Sequence, residues 1–239
     1  RKYYIADGEN LAGSFLMDMA EDSSGRIWVA SEKRGLLYLD PSDDALHFFR
    51  SSLPTNVRSL CSDGDDLWIG SWGDIWRLDT KTGHVSHCCG MRDNAHRLYK
   101  TSSDEILLGF PLGLMRYDRV RGDFVRIPEF DGLYVTGIAE TFSGDIWVST
   151  YANGIYRYGF SGTRELVHYG YGESGCRHIP VDKFMCVYVD SKGGVWAGSY
   201  GEGFLLYDRE SDSFRPYDTD GSLPSRIAYS MVEGLDSRM

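Results

Sequence analysis

Cysteine is scarce and unpaired in this 239-residue chain. The five residues (Cys61, Cys88, Cys89, Cys176 and Cys186) form no Cys-x-x-Cys pair. An odd count with this spacing is neither a disulfide framework nor a zinc signature. Basic residues are outnumbered, with 25 Lys and Arg against 35 Asp and Glu, for a net charge of −10. A nucleic-acid surface needs clustered cations, so that class of partner is not expected. No run of about 18 apolar residues occurs, so no membrane contact is expected from this segment. No signal-peptide pattern is visible and Arg1 is not a start residue, so the sequence reads as an excised fragment. The Gly-x-Ser-x-Gly elbow, the Walker loop and His-Glu-x-x-His are all missing. Long amphipathic helical stretches are missing too.

Glycine (28 residues) and aromatic residues (14%) are abundant instead. That combination points to many short strands joined by glycine turns. The strands recur. Trp28, Trp68, Trp147 and Trp196 align, with Leu107 in the same place of a unit that lacks the tryptophan, at steps of 40, 39, 40 and 49 residues. The long last step contains an insertion, Gly159–Lys183. Each unit reads as four short strands, here A to D. Strand A precedes an Asp/Ser/Gly turn such as Asp22–Gly25, strand B carries the tryptophan, strand C ends in an Asp such as Asp40, and strand D is polar.

Four-stranded units of about 40 residues are the signature of a β-propeller. The expectation is therefore an all-β propeller with five complete blades, over residues 14–50, 53–89, 94–127, 134–169 and 180–217. Partial strands are expected at 2–5 and 226–233. The second is introduced by Ser222-Leu223-Pro224-Ser225, which repeats the lead-in Ser52-Leu53-Pro54-Thr55. Five blades and two remnants suggest a segment of a larger array. The tryptophans themselves read as inter-blade packing.

The residues after strand B are Glu32, Trp72, Phe110, Tyr151 and Tyr200, if strand B of the third unit ends at Gly109. Propeller connectivity puts the B–C turns on one face. Four aromatic residues there would suit stacking on sugar rings. Lys33, Arg34, Asp74, Asn153 and Glu202 are polar neighbours in the same turns, and Arg58 and Arg97 share a place early in strand A. The candidate ligand-binding set is thus Trp72, Phe110, Tyr151, Tyr200, Arg34, Asn153, Glu202, Arg58 and Arg97. The alternative is structural: aromatics lidding blade edges and arginines paired with carboxylates of adjacent blades. His84 and His87 fall on opposite faces of strand D and cannot share one metal ion. No metal, cofactor or catalytic residue is expected.

The units Glu21–Ser31 with Gly35–Asp40, Gly144–Thr150 with Gly154–Tyr158, and Asp190–Ser199 with Gly203–Asp208 resemble the two-component regulator propeller repeat. The Leu-Pro lead-ins match it as well, and the resemblance covers nearly the whole chain. It implies a periplasmic, extracytoplasmic sensor of a membrane-bound histidine kinase that responds to oligosaccharides from polysaccharide breakdown. The segment itself would not be an enzyme. A homodimer of the full-length protein is compatible with that role. The rival readings are a propeller lyase or hydrolase, for which His96 and His178 are the only histidines in D–A connections, and a protein-interaction propeller.

Overall fold

A computed structural model describes residues 4–5, 11–40, 42–43, 45–159, 165–172, 174, 177–217 and 225–234. It is all-β apart from short 3-10 elements, and no helix among these residues is long and apolar enough to cross a membrane. Five sheets follow one another along the chain. The first holds β1 (Tyr4–Ile5), β2 (Leu16–Glu21), β3 (Ile27–Ser31), β4 (Gly35–Leu39) and β5 (Ala45–Phe48). The second holds β6 (Val57–Asp63), β7 (Asp66–Asp79) and β8 (Val85–Asn94). The third holds β9 (Arg97–Lys100), β10 (Ile106–Phe110), β11 (Gly113–Asp118) and β12 (Asp123–Ile127). The fourth runs β13 (Val135–Glu140), β14 (Asp145–Thr150), β15 (Ile155–Gly159) and β16 (Leu166–Tyr169). The fifth runs β17 (Phe184–Val189), β18 (Val195–Ser199), β19 (Phe204–Asp208) and β20 (Ser213–Pro216). The last three are four-stranded meanders with sequential neighbours, as the repeat predicts.

The chain divides into two compact units. One is Arg1–Lys100, Glu105–Leu108 and Met115–Val125; the other is Thr101–Asp104, Gly109–Leu114 and Arg126–Met239.

Three expectations need correction. The second sheet has three strands, not four, because the predicted strands B and C run together in β7. The cause is a longer strand D: β8 extends to Asn94, so the turn residue Trp72 pairs with Asn94 and joins the ladder. Tyr4–Ile5 is a fifth strand added parallel to β5 on the outside of the first sheet, while Lys2 and Tyr3 lie outside the described residues. Residues 226–233 form no ladder strand; they make one bridge, Ile227 with Tyr200. No strand B pairs with them among the described residues. Ser222–Pro224 of the second lead-in also lie outside those residues.

The cores lie between consecutive sheets. In the first unit Trp28 packs with Val57, Leu60, Leu67 and Ile69 of the next sheet. Trp68 likewise packs with Leu98, Leu108 and Phe124. In the second unit Trp147 meets Phe184, Val187 and Leu205. One sheet's tryptophan face therefore covers the following sheet's strand A. The face of β2 is not covered in this way. Met19 is 68% exposed, whereas Leu60, in the same register opposite strand B, is 4% exposed.

A burial this tight leaves no water for the indole N–H, so a partner must be built in. Asp22 supplies it. Its Oδ2 accepts from Trp28 Nε1 at 2.7 Å, and its Oδ1 accepts from the amides of Ser24 (2.9 Å) and Arg26 (3.1 Å). Asp190 does the same for Trp196 at 2.7 Å and the amide of Gly194 at 2.7 Å. Asp63 reaches Trp68 at 3.4 Å and is also held by Lys100 and Arg119. In the third unit Thr101 replaces the Asp where Leu107 replaces the Trp, so no N–H is stranded. The fourth sheet breaks the match: Thr141 stands in the Asp place, and the indole N–H of buried Trp147 has no partner among the described residues.

Where sheets meet, strand B must be small two residues beyond the tryptophan. Ala30, Gly70, Gly109, Ser149 and Gly198 fill these places. A Cβ at Gly198 would lie 2.6 Å from the Ala228 carbonyl oxygen. The 225–234 segment is further held by Gly203 N–H on Arg226 O (2.9 Å) and by Glu233 on the Ser191 amide (2.7 Å). Equivalent bonds join Gly35 to Thr55 O (2.8 Å) and Gly154 to Asp182 O (2.9 Å), each glycine at φ near +70°.

These contacts make three outcomes testable. Copying the first-sheet bracket into the fourth by Thr141→Asp with Asp145→Arg gives the Trp147 N–H an acceptor, so urea unfolding should show a gain of about 1 kcal/mol. Asp22→Ala should cost about 1–3 kcal/mol by the same measurement, because it leaves the Trp28 N–H stranded. Gly198→Val should displace the 225–234 segment while the ladders persist. Tryptic cleavage after Arg226 should then accelerate several-fold, and unchanged cleavage would refute the close-contact account.

Candidate functional site

Four of the five strands A, β2, β6, β13 and β17, carry the same irregularity. Register shifts occur between Leu16 and Asp18, Val57 and Ser59, Val135 and Gly137, and Phe184 and Cys186. A β-bulge re-aims the extra residue's side chain. In β6 that residue is Arg58. Beside the bulge, the residue before strand A bonds the residue after strand B. Glu32 N–H reaches Phe15 O at 3.0 Å, Tyr151 N–H reaches Tyr134 O at 2.9 Å, and Tyr200 N–H reaches Lys183 O at 2.9 Å. Each such bond places two side chains together at one end of a sheet.

The B–C turns that follow are braced from below. Thr150 Oγ1 donates to Gly154 O at 2.8 Å and accepts from the Asn153 amide at 3.0 Å. Ser199 Oγ bonds Gly203 O at 3.0 Å and the Glu202 amide at 3.0 Å. Ser71 Oγ donates to Asp74 O at 2.9 Å. The strand-B hydroxyl faces in, and the aromatic after it faces out: Trp72 is 58% exposed, Tyr151 40% and Tyr200 45%.

Phe110 does not belong with them. It is the last residue of β10, three places beyond Leu107, where the other sheets have Ser71, Thr150 and Ser199. Strand alternation turns it inward, so it is only 4% exposed, with the Arg126 guanidinium 5.3 Å over its ring. Pro111 holds the outward place. Ending strand B at Gly109 is therefore one residue short at this blade: β10 runs on to Phe110.

In the first unit Arg58 Nη2 donates to Glu32 Oε1 at 3.1 Å, and its guanidinium lies 6.0 Å from the Trp72 ring. Arg97 Nη1 donates to Asp18 Oδ1 at 3.3 Å, and the Leu60 amide bonds Asp18 Oδ2 at 3.0 Å. Burial pushes the Asp18 pKa up, while Arg97 and the Leu60 amide pull against it. Asp18 was invisible as a partner because 79 residues separate it from Arg97. His96 is also set here; burial, then the nearby Arg58 charge, hold its pKa below 6.5. Asp74 is held by His87 at 2.8 Å. Lys33 and Arg34 line a groove of about 320 Å³ with Phe48, Arg50, Leu53 and Thr55, a group that includes neither Arg58 nor Trp72.

In the second unit Tyr134 packs against Tyr151 with ring centroids 5.6 Å apart. Lys183 Nζ lies 5.6 Å from the Tyr151 ring and 5.9 Å from the Tyr200 ring, linking the two platforms. Glu202 pairs with Arg226 at 3.5 Å. Asn153 is exposed in its turn, its carbonyl accepting from His168 at 2.8 Å. Tyr134 and Lys183 escaped the sequence reading. Their place before strand A varies in type (Phe15, Asn56, His96, Tyr134, Lys183) and shows no motif. The described cysteines are packed rather than reactive: burial pushes the Cys61 and Cys89 thiols up to about 12. Cys176 lies outside the described residues.

No protein-family model matches the sequence, and no curated protein matches it. Solved structures do. The extracellular domain of BT4673, a proposed hybrid two component system of B. thetaiotaomicron, is 18% identical, with a TM-score of 0.68 over 99% of this chain and 37% of that one. The extracellular domain of BT3049 from the same organism is 15% identical, with a TM-score of 0.66 over 84% of this chain and 29% of that one. Virginiamycin B lyase from Staphylococcus aureus is 14% identical, with a TM-score of 0.66 over 84% of this chain and 68% of that one. The chain thus spans under two fifths of the length of those extracellular domains. At these identities the likeness shows the fold, a propeller-like succession of antiparallel sheets.

The Arg58 charge, after burial, holds the His96 pKa down, so Arg58→Gln should move the His96 midpoint up toward 6.5 in an NMR titration. The sign for stability follows. A histidine with a lowered folded pKa lets the unfolded chain take the proton first, so stability falls as pH drops from 6.5 toward the folded value. The substitution should shrink that loss.

Proposed function

We propose that this chain is a ligand-sensing part of an extracytoplasmic two-component signalling protein, located in the periplasm, and that it detects oligosaccharides. The observation that carries this reading is the set of braced, outward-facing aromatic side chains Trp72, Tyr151 and Tyr200. They stand on a fold shared with extracellular domains of two-component systems. A flat aromatic ring held by a rigid turn offers an apolar face to sugar C–H groups at little entropic cost. Asn153 and Glu202, in the same turns as Tyr151 and Tyr200, supply polar contacts to hydroxyls. In the first unit Arg58 beside Trp72 plays the corresponding part.

The segment binds rather than catalyses in this reading, and the kinase activity belongs to another part of the protein. The signal would pass through altered packing between protomers of a homodimer. The lyase neighbours share the fold at 14% identity, a likeness that carries no activity across to this chain.

Isothermal titration against neutral xylo-, galacto-, fructo- and malto-oligosaccharides tests the proposal. At least one series should bind, and Tyr151→Ala or Tyr200→Ala should each weaken it about fivefold, the loss of one stacking contact. Absence of binding both across this panel and across acidic oligosaccharides, by a cooperatively folding protein, would overturn the reading.

A further inference from the structure

The rim cations are not alike. Arg58 is neutralised by Glu32 at 3.1 Å, Arg97 by Asp18 at 3.3 Å, Arg126 by Asp131 at 3.1 Å and Arg226 by Glu202 at 3.5 Å. Lys183 has no carboxylate partner among the described residues; its contacts are the two tyrosine rings. Lys33 and Arg34 in the first sheet's B–C turn have no ion pair among the described residues either, but they line the groove with Phe48 and Leu53 and touch none of the outward aromatic rings, so Lys183 differs from them in lying against two.

Nor is it loosely placed. The Lys183 carbonyl accepts from Tyr200 N–H at 2.9 Å, and the preceding carbonyl, that of Asp182, accepts from Gly154 N–H at 2.9 Å. The residue is thus tied to the B–C turns of both sheets whose tyrosines it touches. Two acids on the same elements are engaged elsewhere. Glu202 faces Arg226, and Asp182 Oδ1 accepts from the Tyr171 amide at 2.6 Å.

We propose that Lys183, between Tyr151 and Tyr200, is the anion-reading point of this rim, and that the sugar it recognises carries a carboxylate or sulfate group. The proposal rests on the oligosaccharide reading above and narrows it. The tyrosines take the apolar faces of consecutive sugar rings, and the ammonium between them meets the charged substituent. Water displaced by the stacked rings lowers the local screening, which strengthens a charge-assisted hydrogen bond at that point. Lysine suits either anion, since its three donors rotate about a compact charge and demand no bidentate geometry. The chain's net negative charge does not oppose this at contact range, because exposed charges beyond about 8 Å are largely screened at physiological salt.

Titration with matched pairs tests it: trigalacturonate against its full methyl ester, and neocarrabiose 4-sulfate against the desulfated disaccharide. One charged member should bind at least about tenfold tighter than its neutral counterpart, the worth of one charge-assisted hydrogen bond. Which pair responds distinguishes a uronate from a sulfate. Lys183→Gln should abolish the preference without changing the urea midpoint, and Lys183→Arg should retain it. Equal affinity within both pairs, or a preference that survives Lys183→Gln, would overturn the proposal while leaving the sensor reading intact. So would binding of the neutral panel with no binding of either charged probe. Silence from these probes and from the neutral panel together would overturn both.

Discussion

The tryptophan of strand B sits where two demands meet. Its ring must fill the gap between its own sheet and the next, and its N–H must not be stranded there. Burying a large aromatic side chain is worth about 1.5–3 kcal/mol, whereas an unmet donor in the same place costs about 1–3 kcal/mol, so the bracket decides whether the gain survives. Asp22 and Asp190 meet the demand by binding the indole with one oxygen and turn amides with the other. The A–B turn and the inter-sheet core are thus one device. Desolvation alone would raise the Asp22 and Asp190 pKa values, but the converging hydrogen bonds outweigh it and hold both carboxyls low. Their stabilisation is present above the ordinary carboxylate range and fades as pH falls through the folded values.

The second unit adds another lock of the same kind between its two sheets. Asp212 Oδ1 accepts from both the Tyr169 and Tyr207 hydroxyls at 2.6 Å, and Arg157 donates to Tyr207 Oη at 3.0 Å. The two tyrosine rings pack with Trp147 and Phe214. Nothing in a pairwise reading of the repeat suggested this network, since Tyr169 and Asp212 are 43 residues apart and belong to different repeats.

Strand order and the place of each tryptophan were legible because both are local properties repeated five times. Periodicity could not show where strand B of the third blade stops, and a single-residue error there turned buried Phe110 into a surface platform. Nor could it show the bulges, which arise from how strand A must pass the next strand B and not from any residue signature: Met17, Arg58, Thr136 and Met185 share the bulge with no common chemistry. The merged β7 had the same origin, an extension of its neighbour β8 to Asn94. Of the candidate site, Trp72, Tyr151 and Tyr200 could be read from position alone, whereas Asp18, Tyr134 and Lys183 needed contacts between repeats.

The bulge separates two jobs within one strand. Beyond it, strand A is committed to register and core, and its residues are constrained by the sheet on either side. At and before it, the side chain is freed from the alternation of the ladder and turns to neighbouring turns and strands, as Arg58 does to Glu32 and Tyr134 to Tyr151. Arginine, threonine, tyrosine, histidine and lysine all occupy these positions in this one chain without disturbing a strand. A fold organised this way can exchange its recognition residues one blade at a time. Selectivity can then drift through single substitutions, each invisible to folding, and a repeat that is monotonous in its core can still be diverse at its rim.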